Sequence, residues 1–157
     1  MEGAPPRLRL YRPGDETGVC RVAAECFEAA IRPYYSDEGR LAFGAYILPE
    51  SIVERQHSGC QMVVAESDGE IVGVIELREF RHISMLFVAP CFQCCGIARR
   101  LLARAATLAR RVHPELEVLT VFAAPNALEA YHHLGFCETG EEKCVSGIRF
   151  IPMQVML

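Results

Sequence analysis

The sequence predicts an α/β fold: a mixed sheet with helices on both faces, built around one pair of parallel strands. Three observations lead there. Short apolar runs alternate with segments of helical periodicity along the chain. The apolar run at 82–88 and another at 117–123 are separated by a single amphipathic helix. A Ser-Asp-Gly turn joins two further apolar runs as a hairpin. The helix between the two runs is a crossover, which makes those strands parallel neighbours. A ligand groove belongs where such strands separate at their carboxyl ends.

The elements follow in order. Arg7 to Tyr11 alternates and reads as a strand, which Pro13-Gly14-Asp15 ends. Asp15 or Thr17 then caps a helix running to about Ala30, with Val19, Val22, Ala23, Cys26, Phe27 and Ala30 on one apolar face. Pro33 breaks the pattern, Ser36 caps a short helix through about Ala45, and Leu48-Pro49 opens another that ends near Ser58-Gly59. Cys60–Glu66 and Ile71–Phe80 form the hairpin, and Arg81–Val88 is the next strand. A helix from near Ala98 to about His113 is stopped by Pro114. Glu117–Ala123 is a strand, Pro125-Asn126 opens a helix through His133, and Gly135 closes it. Cys137–Val145 and Gly147–Leu157 make a last pair of strands.

At 157 residues and 51% hydrophobic, the chain suits one domain, 1–157, with a full core. A net charge of −4 disfavours a nucleic-acid binder, which wants a basic face. The first residues hold no apolar leader segment and no run is long enough for a membrane span, so a cytoplasmic location without membrane contact is expected. The eight cysteines then read as mostly free thiols. No spacing among them and the histidines suggests a metal site.

The stretch Val88 to Leu102 organises the rest. The run HISMLFV enters it, Gln93-Cys94-Cys95-Gly96-Ile97-Ala98 turns the chain, and the helix follows. A strand that passes through a small-residue loop into a helix leaves several backbone N–H groups unpartnered at the helix start. Those groups and the helix dipole suit an anion, phosphate best. Gly96 and Ala98 lack bulk where a phosphate must approach. Thiols at a helix start are reactive, so oxidation of Cys94 or Cys95 would block the site; substitution by small residues is the simpler account of both.

The first motif is Gln/Arg-x-x-Gly-x-Gly/Ala behind a strand ending in a hydrophobic residue and Pro. Here it reads Gln93-Cys94-Cys95-Gly96-Ile97-Ala98 behind Phe87-Val88-Ala89-Pro90. The second is Asn followed by a helix ending in Tyr-x-x-x-Gly-Phe, which stands as Asn126 and Tyr131 through Gly135-Phe136. With these motifs on these elements, nearly the whole chain resembles the GNAT superfamily of N-acetyltransferases. In detail it looks most like small prokaryotic members whose substrates are generally unassigned.

The resemblance implies a GNAT fold: a central, mostly antiparallel sheet whose one parallel pair splays into a V, with helices on both faces. It implies acetyl-CoA as cosubstrate and no metal. Gln93, Cys94, Cys95, Gly96, Ile97, Ala98 and Arg99 would hold the pyrophosphate, mostly through backbone N–H groups. Many members carry Arg or Lys where Cys94 and Cys95 stand here, a departure that Arg99 or Arg100 could offset. Leu86, Phe87 and Val88 would offer main-chain groups to the pantetheine arm. Asn126 would contact that arm or the acetyl end, in addition to any capping role. Tyr131 would meet the leaving thiolate. The general base would be His82, whose ordinary pKa suits the task, or Glu76 on the preceding strand. Tyr34, Tyr35 and Asp37 would line the acceptor side.

The expected activity is transfer of acetyl from acetyl-CoA to a primary amine, on a small molecule or a protein, by direct attack in a ternary complex. The rival from another class is a non-catalytic acyl-CoA-binding sensor or partner module. The resemblance also allows a homodimer through the last strands.

Overall fold

The computed structural model describes residues 3–157. The strands are β1 (Arg7–Leu10), β2 (Gln61–Ser67), β3 (Glu70–Arg78), β4 (His82–Val88), β5 (Val118–Ala123), β6 (Cys137–Glu138), β7 (Lys143–Val145) and β8 (Ile148–Met156). They form a sheet in the order β1-β2-β3-β4-β5-β8-β6, with β7 paired to β8 off this path. Among the described residues only the β4–β5 pair is parallel. The helices are α1 (Glu16–Cys26), α2 (Asp37–Tyr46), α3 (Pro49–His57), α4 (Ile97–Val112) and α5 (Leu128–His133).

Alternation along β3 assigns the two faces. The Glu76 side chain meets Tyr46 of α2 and Arg55 and Gln56 of α3. A Cβ at Gly73, on the opposite parity, would stand 3.2 Å from Ile97 and 3.3 Å from Leu101 of α4. So α2 and α3 cover one face and α4 the other, and Gly73 lets α4 lie close to the sheet. α4 buries Ile97, Leu101, Leu102, Ala105 and Ala109, a helical spacing in which each large aliphatic side chain contributes roughly 1.5–3 kcal/mol. That burial anchors the loop in front of α4.

Local chemistry departs from the sequence-based expectation in three places. Neither Asp15 nor Thr17 caps α1 with its side chain. The Asp15 carboxylate instead accepts the Arg9 guanidinium at 2.7 and 2.9 Å and the Arg12 N–H at 2.9 Å. Burial pushes that carboxyl up, but the Arg9 and Arg12 bonds outweigh it and hold it below its ordinary value. The helix expected to reach Ala30 ends at Cys26 and continues as one π turn, Phe27–Ile31.

The strand expected over 137–145 is two short ones at opposite ends of β8. The reason is Pro152. Thr139 donates its N–H to the Pro152 carbonyl at 2.9 Å, but Pro152 has no N–H to return, so the ladder stops. Ser36 does cap α2, accepting the Gly39 N–H at 3.2 Å.

All eight cysteines are unpaired. Among the described residues no helix is long and apolar enough to cross a membrane.

Candidate active site

β4 runs beside β5 only at the amino end of β4, against the middle of β5. His82 faces Thr120, Ile83 faces Val121, and the pairing stops there. β4 stays paired with β3 as far as Val88, so beyond Ile83 its other edge is open. A bulge marks the parting: Ile83 faces Leu77 and Met85 faces Glu76, leaving Ser84 as the extra residue. The Ala89 N–H donates to the Val72 carbonyl at 2.8 Å. By the alternation of an antiparallel ladder, Leu86 and Val88 therefore turn their main-chain groups to the open edge, whereas Phe87 turns its own to β3. The Val88 carbonyl already accepts the Gln93 side-chain amide at 2.9 Å and the Cys26 thiol at 3.1 Å. The edge thus offers the Val88 N–H and both groups of Leu86. The Phe87 ring packs edge-on to Phe43 of α2, with centroids 6.1 Å apart.

Past β4 the chain makes one 3₁₀ turn, Pro90–Phe92, then curls through Cys94 and Gly96, both at positive φ (+61° and +78°). Backbone turned this way aims successive N–H groups to one side. None of the N–H groups from Cys94 to Arg99 has an acceptor among the described residues; the first helical bond runs from Arg100 to the Gly96 carbonyl at 3.1 Å. The positive end of the α4 dipole adds about half an elementary charge there. Nothing lies within 4 Å of where a Gly96 Cβ would stand. Gln93 braces the loop through its bond to Val88, and Arg99 ties it to the far wall by donating to the His133 carbonyl at the end of α5. Cys91, Cys94 and Cys95 are all exposed.

The far wall is the segment after β5. Asn126 is exposed, and the α5 cap falls on Ala127, with no side-chain bond. The expected capping role is therefore not taken up, and the Asn126 amide has no hydrogen-bond partner among the described residues. Tyr131 packs edge-on to Phe136 at 5.1 Å. Its hydroxyl has no hydrogen-bond partner among the described residues, and burial pushes its phenol well above the ordinary value. His132 meets Glu138 at 2.8 Å and His133 bonds the Glu129 carbonyl, so both serve the surface.

The two base candidates differ sharply. His82 lies at the apex of the V, half-buried, with Nδ1 2.8 Å from the Thr120 hydroxyl and its ring 4.6 Å from that of Phe122. Burial, then the charge of Arg78, pushes its imidazole down to about 4, so it is neutral at pH 7. Glu76 is fully buried. Its carboxylate accepts the Tyr46 hydroxyl at 3.0 Å, Arg55 Nε at 3.1 Å, Gln56 Nε2 at 3.0 Å and the Ser84 hydroxyl at 2.7 Å.

Tyr34 and Tyr35 have different surroundings. Tyr35 belongs to an aromatic cluster with Phe27 at 5.2 Å and Phe43 at 6.0 Å, and bridges to Ile148. Tyr34 lies under the Arg149 guanidinium at 5.5 Å, and the Asp37 side chain is 98% exposed. Sequence reasoning missed Ser84, Tyr46, Arg55, Thr120 and Phe122. A trace of the first was present: His82 and Ser84 are the polar members of HISMLFV, two residues apart on one strand.

The sequence profile described as an acetyltransferase (GNAT) domain matches residues 31–157. No curated protein matches the chain in sequence. Among solved structures, a GCN5-related N-acetyltransferase from Rhodopseudomonas palustris is 25% identical with a TM-score of 0.82, over 100% of this chain and 99% of that one. A PaiA N-acetyltransferase from Thermoplasma acidophilum, in complex with coenzyme A, gives 17% and 0.77 over 97% and 99%. A variant of the spermidine N-acetyltransferase SpeG from Vibrio cholerae gives 21% and 0.66 over 98% and 95%. With the splayed strand pair and the N–H cradle already in place, the profile match over most of the chain leads to one conclusion: the protein belongs to the GNAT acetyltransferase family.

Proposed function

We propose that this chain is an acetyl-CoA-dependent N-acetyltransferase that joins acetyl-CoA and a primary amine in one ternary complex for direct attack. The observation that carries this reading is the run of acceptor-free N–H groups from Cys94 to Arg99 at the mouth of the open β4 edge. Together they form a continuous polar track suited to a pyrophosphate with an amide-bearing arm behind it. Acetyl-CoA supplies a thioester open to attack by an amine.

The residues divide the work. The cradle binds the pyrophosphate through backbone N–H groups and the α4 dipole, without a cation at Cys94 or Cys95. Leu86 and Val88 bond the pantetheine arm and polarise the carbonyl under attack, and the Asn126 amide reaches the arm from the other wall. Tyr131, a phenol protonated at neutral pH and kept more firmly so by burial, donates to the departing sulfur. His82, neutral at pH 7, takes the proton from the amine nitrogen once the new C–N bond has made that nitrogen acidic. Tyr34 and Asp37 border the acceptor entry. The neighbour in complex with coenzyme A supports the cosubstrate, and the spermidine acetyltransferase among the neighbours supports a small-molecule amine as acceptor.

A screen of amines with detection of free thiol tests the reading. At least one amine is expected to release coenzyme A. Tyr131→Phe, which keeps the contact with Phe136, is expected to lower kcat on the order of 10²-fold with coenzyme A affinity unchanged. Binding of coenzyme A with no acetylation of any amine by the natural protein would instead favour a non-catalytic binding module.

A further inference from the structure

Ser84 is the first residue beyond the point where β4 and β5 part, and it is the bulged residue of β4. A bulge re-aims the side chain it carries. Here the Ser84 hydroxyl donates to Glu76 Oε1 at 2.7 Å, with a longer contact to the Glu76 carbonyl at 3.3 Å. Its proton is therefore committed inward. A hydroxyl has one proton and two lone pairs, so Ser84, half-buried where the two strands part, keeps acceptor capacity for a ligand N–H. Two residues before it on β4, the half-buried His82 ring packs against Phe122, which is 53% exposed and leans on Phe150 at 4.5 Å.

The anchor beneath Ser84 is built to stay put. Glu76 is fully buried and charge-paired with Arg55. Arg55 lies over the Tyr46 ring at 3.6 Å and donates to the Tyr46 carbonyl at 2.7 Å. With four side chains donating to its carboxylate, Glu76 has no direct route to an incoming amine. Its effect on chemistry runs through the serine it orients.

We infer that Ser84 Oγ is the contact for the attacking amine: it accepts an N–H of the acceptor and so turns the nitrogen lone pair toward the thioester, while Glu76 acts as the positioning residue that holds the hydroxyl in this sense. This rests on the acetyltransferase reading above and assigns the nitrogen's place within it. The contact is to the nitrogen alone, so it applies to any primary amine. Proton removal stays with His82.

The test needs no turnover. The probe is a conjugate in which the sulfur of coenzyme A carries an acetyl bridge to n-butylamine, so that its amide N–H stands for the attacking nitrogen. Affinities for coenzyme A and for the conjugate are compared by calorimetry in the natural protein, Ser84→Ala and Ser84→Thr. Expected is equal coenzyme A affinity in all three, tighter binding of the conjugate to the natural protein and to Ser84→Thr, and a loss of roughly tenfold for the conjugate in Ser84→Ala, the scale of one hydrogen bond. An unchanged conjugate affinity in Ser84→Ala, with coenzyme A still binding, overturns the role of Ser84 and leaves the acetyltransferase reading intact. Failure of the natural protein to bind coenzyme A overturns both.

Discussion

At the scale of single residues, the environment of His82 decides what it can do. In solution an imidazole titrates near 6.5, but at the apex of the V burial and Arg78 lower it to about 4. Because the folded value lies below the unfolded one, the unfolded chain takes up the proton first as pH falls. Its contribution to stability is therefore whole above about pH 6.5 and drains away down to pH 4, amounting to up to about 3 kcal/mol. His82→Gln, which can still reach Thr120, removes this dependence. Urea midpoints measured at pH 7 and pH 4.5 are expected to converge for the variant relative to the natural protein; equal losses in both would mean that His82 is not held neutral. Gly96 makes a second residue-scale case. It combines φ of +78° with open space on the side its Cβ would occupy, so Gly96→Val both strains the turn and fills the approach to the cradle. Coenzyme A affinity, read by calorimetry, should be abolished in that variant and little changed in Cys94→Ser, which keeps the size of the exposed side chain.

Between elements, the buried Glu76–Arg55 pair joins β3 to α3, and through Tyr46 and Ser84 it reaches α2 and β4. Pairs of this kind are costly to break from one side only. Arg55→Leu leaves a carboxylate inside the protein without its counter-charge, and a loss of roughly 3–5 kcal/mol is expected. The double variant Arg55→Leu/Glu76→Leu should recover much of it, because no lone charge then remains. Chemical denaturation of both proteins checks this, and a double variant as unstable as the single one would place the cost in packing rather than charge. This network also marks the limit of what the chain discloses before folding. A glutamate within IVGVIELREF stands out as a carboxylate on an apolar strand. That its partner lies 21 residues back, on a helix packed against that face of the sheet, leaves no mark in either segment. The bulge at Ser84 is equally silent, since any residue can occupy it.

Across the whole molecule, the legible features were those set by local physics: the strand-turn-helix at 82–98, the crossover that makes β4 and β5 parallel, and the closing turn at Gly135. Each follows from periodicity or from a glycine whose position has one use. Less legible was what depends on how far strands stay together. Nothing in HISMLFV states that pairing with β5 ends at Ile83, because separation is enforced from outside, by β8 holding β5 along its length and β3 holding β4. The V is thus a property of the sheet as a unit. It leaves a row of main-chain groups waiting for a partner, and that has a measurable consequence. Among the described residues the N–H groups from Cys94 to Arg99 have no acceptors, so their hydrogens should exchange quickly with solvent although they front a well-packed helix. Coenzyme A at a hundredfold excess over its Kd should stabilise the fold by about 2.7 kcal/mol through mass action. Global stabilisation alone slows exchange most where it already needs unfolding, in the core of α4 and the central strands. Direct bonding to phosphate slows it most at 94–99, where no unfolding is needed. Hydrogen exchange followed residue by residue, with and without coenzyme A, is expected to give the second pattern, with added protection at Leu86 and Val88 along the open edge. Protection confined to the core would mean that the ligand binds elsewhere and that the cradle is only a turn.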